Sequence, residues 1–440
     1  MTPNESSEAT PHLDPPYDIV NFWCGDKDKT EMTVMCYDRR FDILALAENM
    51  EECPAIKREF FGLITDLLSM DNNDFQFIPG QPDPMEEMCY WMAKACFAHF
   101  RTLAPRPTEP RIITLQEYYT TPAIQLTITV NDGKLTAIQS SHKPDDLMPR
   151  TRLSSSYTAM TTSVPLLEPS KVKLPWDSEN ERPLRPSRVL VGNEGKHQFF
   201  KPAYRGLLKH TEREIKTLLN LHQLGLNNKI QVPKIRGLVS SGNKSNMEIC
   251  GILITYIKFR RTLASRDEIQ KAAPYLRETW IHQLKEMVNE LHKAGIIWGD
   301  VKPGNVLIDM DNNLWIIDFG GSYTPGWVDE NLVETVEGDL QGLSKIIDFI
   351  NGREVDSFNA TKFAADAFPQ RKRVAGLSPL ATLPEQEGDF NPLVGQRNFS
   401  FYGWPVTGWW NIAATVILII YTRTRNRRYV TKIKMGQRAF

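Results

Sequence analysis

The chain has 440 residues, 41% of them hydrophobic, with 52 basic against 53 acidic side chains. That length supports two or three domains with real cores, and the near-zero net charge excludes an overall field for nucleic acid or an acidic membrane, so partners must be met at local sites. The six cysteines (Cys24, Cys36, Cys53, Cys89, Cys96, Cys250) form no C-x-x-C pair and no cluster with histidine, which argues against zinc or a disulfide framework and for reduced thiols in a cytoplasmic protein.

Residues 1–18 read as a polar, disordered lead lacking the basic and apolar regions of a signal peptide. A helix-plus-strand domain of unknown role is expected over 19–140. From Phe41 to Met70 the apolar positions Leu44, Ile56, Phe60, Leu63, Ile64, Leu67 and Leu68 recur at helical spacing, and Met85 to Leu103 repeats the pattern with Met88, Trp91, Met92, Ala95 and Phe100. Two amphipathic helices follow from this. "LTITV", "NDGK" and "LTAIQ" then alternate apolar and polar residues around Asp-Gly, predicting a β-hairpin that turns at Asn131 to Lys134. Residues 141–186, rich in Pro, Ser and charge, read as linker that could also hold one irregular first strand of the next domain.

That domain spans 187–352. "SRVLV", the turn "GNEGK" and "HQFFK" predict a second hairpin, followed by a helix whose start at Thr211 to Glu214 has capping-box form. The apolar strand Ile249 to Ile257 comes next. Ser265 to Glu268 again has capping-box form, and Leu276, Trp280, Leu284, Met287, Val288 and Leu291 stripe one face of a long helix.

This helix leads into "HKAGIIWGDVKPGNVLIDMDNNLWIIDFGG", His292 to Gly321. Within it "NVLID" and "LWIID" are short apolar strands joined by the turn Met310 to Asn313, so a hairpin returns Asp318 beside Asn305. An amide oxygen and a carboxylate then converge as hard ligands suited to Mg²⁺. Asp300 would stand further out, where it could orient a hydroxyl and accept its proton during attack on a γ-phosphate, with Lys302 neutralising the transferring phosphoryl charge.

"GDVKPGN" with "DFG" downstream resembles the protein kinase superfamily. The closer resemblance is to a largely uncharacterised fungal protein-kinase-like family carrying "WGDVKPxNVLID" and "DFGGSYTPGWVD", and it covers about residues 150–350. It implies an α+β, two-lobed kinase-like fold and a Mg-ATP-dependent kinase acting on a protein or small-molecule hydroxyl. Asp300 is then the catalytic base, Asn305 and Asp318 the Mg²⁺ ligands, and Lys302 the contact to the γ-phosphate. Lys201 stands where the lysine holding the α- and β-phosphates is expected, with Glu214 as its ion-pair partner. The alternatives are a reciprocal cap of Thr211 for Glu214 and a solvated strand-end lysine for Lys201. The adenine is expected against Tyr256, Ile257 and Lys258.

The chain also departs from the superfamily pattern. No G-x-G-x-x-G precedes Lys201, and Gly192 and Gly195 belong to the hairpin turn. Trp298-Gly299 replaces the His-Arg before the catalytic Asp, so a phosphorylated activation loop lacks its usual anchor. No A-P-E follows "DFG", the segment soon reaches Asp339, which resembles a buried Asp of the first helix below the site, and the C-lobe is short. A substrate choice like that of small-molecule kinases and, alternatively, a pseudokinase acting as a nucleotide-binding or scaffold module both remain open.

Residues 353–440 form a variable tail. "GWWNIAATVILIIY" within 405–421, followed by "RTRNRR", has three readings: a tail anchor facing the cytosol, a packed terminal helix or strand, or a gene-model artefact.

Overall fold

The computed structural model describes residues 14–25, 28–69, 84–142, 146–177, 182–183, 186–192, 195–241, 248–322, 324, 326–353 and 399–400. The 405–421 segment and the first thirteen residues lie outside them. Among the described residues no helix is long and apolar enough to cross a membrane.

Alternation of apolar and polar residues builds a first sheet from the strands β1 (Asp18–Cys24), β2 (Lys29–Cys36) and β3 (Arg39–Leu46), an antiparallel meander with Phe399–Ser400 paired on its outer edge. The chain then runs through α1 (Pro54–Ser69), α2 (Pro84–Leu103) and the short α3 (Leu115–Thr120). It returns as β4 (Ala123–Asn131), parallel to β3, and turns into β5 (Lys134–Gln139). The hairpin turn falls at Asp132 and Gly133, both at positive φ (50° and 70°), the conformation that an Asp-Gly two-residue turn supplies.

One face of this sheet packs on α1 and α2, with Met32, Phe41, Ile43 and Leu126 buried against Phe60, Met88 and Phe100. The expected helix from Phe41 is therefore shorter at its start. Phe41, Ile43 and Ala45 alternate inward with Asp42 and Leu44 between them, a period of two, and helix begins only at Pro54. The lead is likewise shorter than expected: Asp18 opens β1, and Tyr17 packs 5.9 Å from both Phe97 and Phe100.

A second sheet carries, in order, Ile113–Thr114, β6 (Val172–Leu174), β7 (Arg188–Val191), β8 (His197–Pro202), β10 (Glu248–Thr255), β9 (Ile235–Ser240) and Leu166–Leu167. Its two faces follow strand parity except at Cys250, where the pairing of β10 with β9 shifts register. Ile252 and Ile254 face the helix α4 (Leu208–Gln223), where Ile215, Leu218 and Leu219 meet them. Phe200, Cys250 and Leu253 face the other way, toward Tyr118 and Tyr119, and Val20 and Met35 of the first sheet close over them. Residues from the 141–186 stretch thus supply β6, a strand of this sheet.

Below the sheet lie the small sheet β11 (Phe259–Thr262), β12 (Val306–Asp309) and β13 (Leu314–Ile316) and the helices α5 (Pro274–Lys293) and α6 (Val336–Ile350). Trp280, Leu284, Val288 and Leu291 of α5 and Leu343 and Ile346 of α6 share one core with Trp298 and Phe319.

Neither expected capping box forms in the second unit. Helix α4 begins at Leu208, which puts Thr211 inside it, and Ser265 makes no side-chain cap. Among the described residues a complete box is formed by Thr114 with Glu117, at the start of α3.

Candidate active site

Pro303 opens a single 3-10 turn closed by Asn305 N donating to Lys302 O at 3.0 Å. The turn aims the Asn305 side chain back along the chain, where Nδ2 donates to Asp300 O at 2.9 Å and to Asp300 Oδ2 at 2.8 Å. Lys302 Nζ lies 2.8 Å from the same Oδ2 and donates to Thr324 Oγ1 at 3.1 Å. Thr324 in turn donates to Asp300 Oδ1 at 3.0 Å. Both carboxylate oxygens of Asp300, only 4% exposed, are therefore held in one orientation, as a general base must be.

The hairpin β12–β13 does the second task. Ile317 N donates to Asn305 O at 3.1 Å, so Asp318 emerges beside the turn that carries Asn305. Asp318 sits at φ +63°, a left-handed conformation uncommon outside glycine and of the kind stored at functional sites. Its Oδ1 accepts from Lys201 Nζ at 2.8 Å, and the same ammonium lies 2.5 Å from Glu214 Oε2 on α4. Lys201 reaches them because it shares the face of β8 that looks toward Ile252 and α4.

Burial and charge set the ionisation of this trio. Burial pushes the Asp318 carboxyl up, but Lys201, Lys302 and the Gly320 N–H outweigh it and hold the group below the usual aspartate range. Burial also pulls Lys201 down, yet the charges of Asp318 and Glu214 win and keep it ionised beyond the ordinary lysine range. Glu214 goes the other way: burial, helped by the Asp318 charge, raises it despite Lys201.

Asp318 and Asn305 fit a divalent cation in their donor chemistry. Asn305 uses its amide nitrogen on Asp300, which leaves the amide oxygen available to ligate, and Asp318 adds a partly buried carboxylate. Among the described residues no group of three or more His, Cys, Asp or Glu could hold a metal ion by itself, so an ion bound by this pair would complete its shell with phosphate oxygens and water.

Behind the site, Asp339 at the start of α6 accepts from Trp298 N and Gly299 N, both at 2.8 Å, and His292 Nε2 lies 2.8 Å away. Trp298 is fully buried, and its indole N–H donates to Ile317 O at 3.0 Å. Tyr256, Ile257 and Lys258 form the link from β10 to β11. Ile257 packs with Leu307 and Ile317, Lys258 is exposed, and the Tyr256 ring meets the Arg188 guanidinium at 5.5 Å and His197 at 5.8 Å.

Sequence reasoning missed Thr324, Arg213 and His292. Thr324 lies in a segment without periodicity, and Arg213 precedes the conspicuous Glu214 in a stretch read as a cap. The pairing of His292 with Asp339 needs the packing of α5 on α6.

Residues 205–335 match the family model of the protein kinase domain. The chain is 32% identical over 126 residues to the hormonally up-regulated neu tumor-associated kinase of Homo sapiens, an overlap covering 27% of this chain and 16% of that protein. It is 47% identical over 47 residues to the serine/threonine-protein kinase PKH3 of Eremothecium gossypii, covering 11% and 6% respectively. The chain thus matches only a small part of the length of these curated relatives. These matches support the protein kinase superfamily for residues 205–335, and the mixed helix and sheet content is consistent with an α+β fold.

Proposed function

We propose that the chain is a Mg-ATP-dependent phosphotransferase with a two-lobed kinase-like fold, acting on the hydroxyl of a protein or small molecule. The observation that carries this reading is the convergence of an oriented Asp300 with Lys302 beside it and of Asp318 bridged through Lys201 to Glu214. In this reading the second sheet with α4 is one lobe, and the shortened helical part with α5 and α6 is the other. The similarity to serine/threonine kinases supports the reaction class, and the fungal protein-kinase-like family is the nearer fit by motif.

Asp300 takes the proton of the acceptor hydroxyl as its oxygen bonds to the γ-phosphorus and the bond to the β–γ bridging oxygen breaks, so that ADP leaves. Lys302, held 2.8 Å from Asp300, balances charge on the transferring group. Lys201, oriented by Glu214, would hold the α- and β-phosphates, while Asn305 and Asp318 would hold Mg²⁺, which would supply charge neutralisation of the phosphates. Tyr256 to Lys258 line the adenine position with backbone groups. The reaction draws on cytoplasmic ATP.

A pseudokinase is the second reading, favoured by the connection from β6 to β7. Residues 175–187 contain no glycine, so the sequence offers no glycine-rich phosphate motif between these strands. Nucleotide binding with and without Mg²⁺, followed by ATP turnover against a panel of proteins and small hydroxyl compounds, separates the two. Mg²⁺-dependent binding with turnover supports the enzyme, and binding without turnover on any acceptor supports the scaffold.

A further inference from the structure

Arg213 lies next to Glu214 on α4, and its guanidinium leaves that helix altogether. Nη1 donates to Phe319 O at 2.6 Å and to Trp298 O at 3.2 Å, and Nη2 donates to Ile297 O at 3.2 Å. Those carbonyls flank the chemistry: Ile297 and Trp298 come just before Asp300, and Phe319 directly follows Asp318. One planar, always-charged donor group therefore ties the helix carrying Glu214 to the backbone just before Asp300 and just after Asp318. Only arginine, with its five N–H donors in a fixed fork, can serve all three acceptors at once.

The chain makes room for this group. Gly299 stands at φ +86°, and a Cβ there would lie 2.4 Å from Arg213 Nη2. At Gly321, φ +73°, a Cβ would meet Glu334 Oε1 at 2.3 Å and Arg213 Nη1 at 3.0 Å. Gly299 is the position where the sequence resemblance expects an arginine, and its missing side chain is the socket for a guanidinium delivered from α4. At the open side of the socket Glu334 Oε2 lies 3.7 Å from Arg213 Nε. His210, one turn earlier on α4, adds a contact from Nδ1 to Gly321 O at 2.9 Å.

We infer that Arg213 is a positioning residue that latches α4, and with it Glu214, into the phosphotransfer arrangement, with Glu334 supplying the negative charge that a phosphorylated segment would otherwise have to bring. The inference rests on the kinase reading for its consequence, although the latch itself is a property of the fold. It makes the arrangement independent of phosphorylation. Glu334 is 47% exposed and Arg213 21%, so the carbonyl bonds dominate and the carboxylate is the smaller part.

The test uses the full chain after phosphatase treatment, comparing wild type with Arg213→Ala, Arg213→Lys, Glu334→Gln, Gly299→Ala and the double variant Gly299→Ala with Arg213→Ala. Hydrogen exchange is followed in 208–223, 297–300 and, as internal reference, 274–293, together with ATP turnover. Arg213→Ala is expected to speed exchange in 208–223 and 297–300 together by about tenfold, leaving 274–293 unchanged, and to lower turnover by a similar factor. Arg213→Lys should fall between, and Glu334→Gln should change both by only about twofold. Gly299→Ala should loosen the same two segments, and adding Arg213→Ala should cost less than the product of the single effects, because the overlap has gone.

Wild type that turns over ATP while Arg213→Ala and Arg213→Lys keep both rate and protection would overturn the latch. Strictly multiplicative effects of the Gly299 and Arg213 changes would overturn the socket. A wild type without turnover whose exchange still responds to Arg213→Ala supports the latch and tells against the kinase reading instead. If Arg213→Ala does not fold, Arg213→Lys and Glu334→Gln carry the same comparison.

Discussion

Lys201 Nζ lies 2.8 Å from Asp318 Oδ1 across 117 residues of chain, and 2.5 Å from Glu214 Oε2. The two carboxylates share one ammonium but differ in what the fold does to them, and that difference can be measured.

Asp318 is held below its ordinary range, so its contribution to stability is present above the unfolded value and is lost as pH falls through the depressed one. Glu214 is raised by burial, so its contribution is present below the unfolded value and lost as pH rises through the folded one. At pH 7 Asp318→Asn is therefore expected to cost about 1–3 kcal/mol, with the penalty shrinking in acid, while Glu214→Gln leaves the melting temperature unchanged or higher. Both variants should lower turnover at least about tenfold. Thermal melts at pH 7 and pH 4 check the signs, and a large loss of stability in Glu214→Gln at pH 7 would contradict them.

Thr324→Val removes the hydroxyl that links Lys302 to Asp300. Turnover should drop about tenfold, the size of one lost charge-assisted hydrogen bond, with nucleotide affinity unchanged because the hydroxyl serves Lys302 and Asp300. Thr324→Ser should recover most of the rate. Equal losses in the Val and Ser variants would assign Thr324 a packing role.

Asp339→Ala leaves the N–H groups of Trp298 and Gly299 buried without their acceptor. A cost of about 3 kcal/mol or more is expected, read as a shift in the urea midpoint.

Strand alternation and turn chemistry made part of this molecule legible in the sequence. The Asp132-Gly133 hairpin, the helix over Pro84–Leu103, and the return of the "LWIID" strand alongside "NVLID" all depend on neighbours in sequence. Phe41 to Leu46 was misread because its apolar residues continue into a helical run, and the strand is fixed by pairing with β2 and β4, which no local pattern reveals. Thr211 to Glu214 had the form of a cap, but the chain enters α4 three residues earlier. The Arg213 contacts depend on groups 84 to 106 residues away, and the glycine that admits them reads locally as a missing arginine.

The first sheet is also expected to matter to the second. Val20 and Met35 close the face formed by Phe200, Cys250 and Leu253, so a chain beginning at residue 140 exposes that apolar surface and should aggregate on size exclusion. A monodisperse, cooperatively melting product would contradict this.

Phosphoryl transfer with Asp300 as base is tested by ADP release from the full chain and from Asp300→Asn, with Mg²⁺ and an acceptor found by panel screening. Wild type should release ADP in a Mg²⁺-dependent manner, and the variant should be slower by about 10²–10⁴-fold while binding Mg-nucleotide equally well. Equal rates in the two proteins, with nucleotide bound by both, would contradict a base role for Asp300.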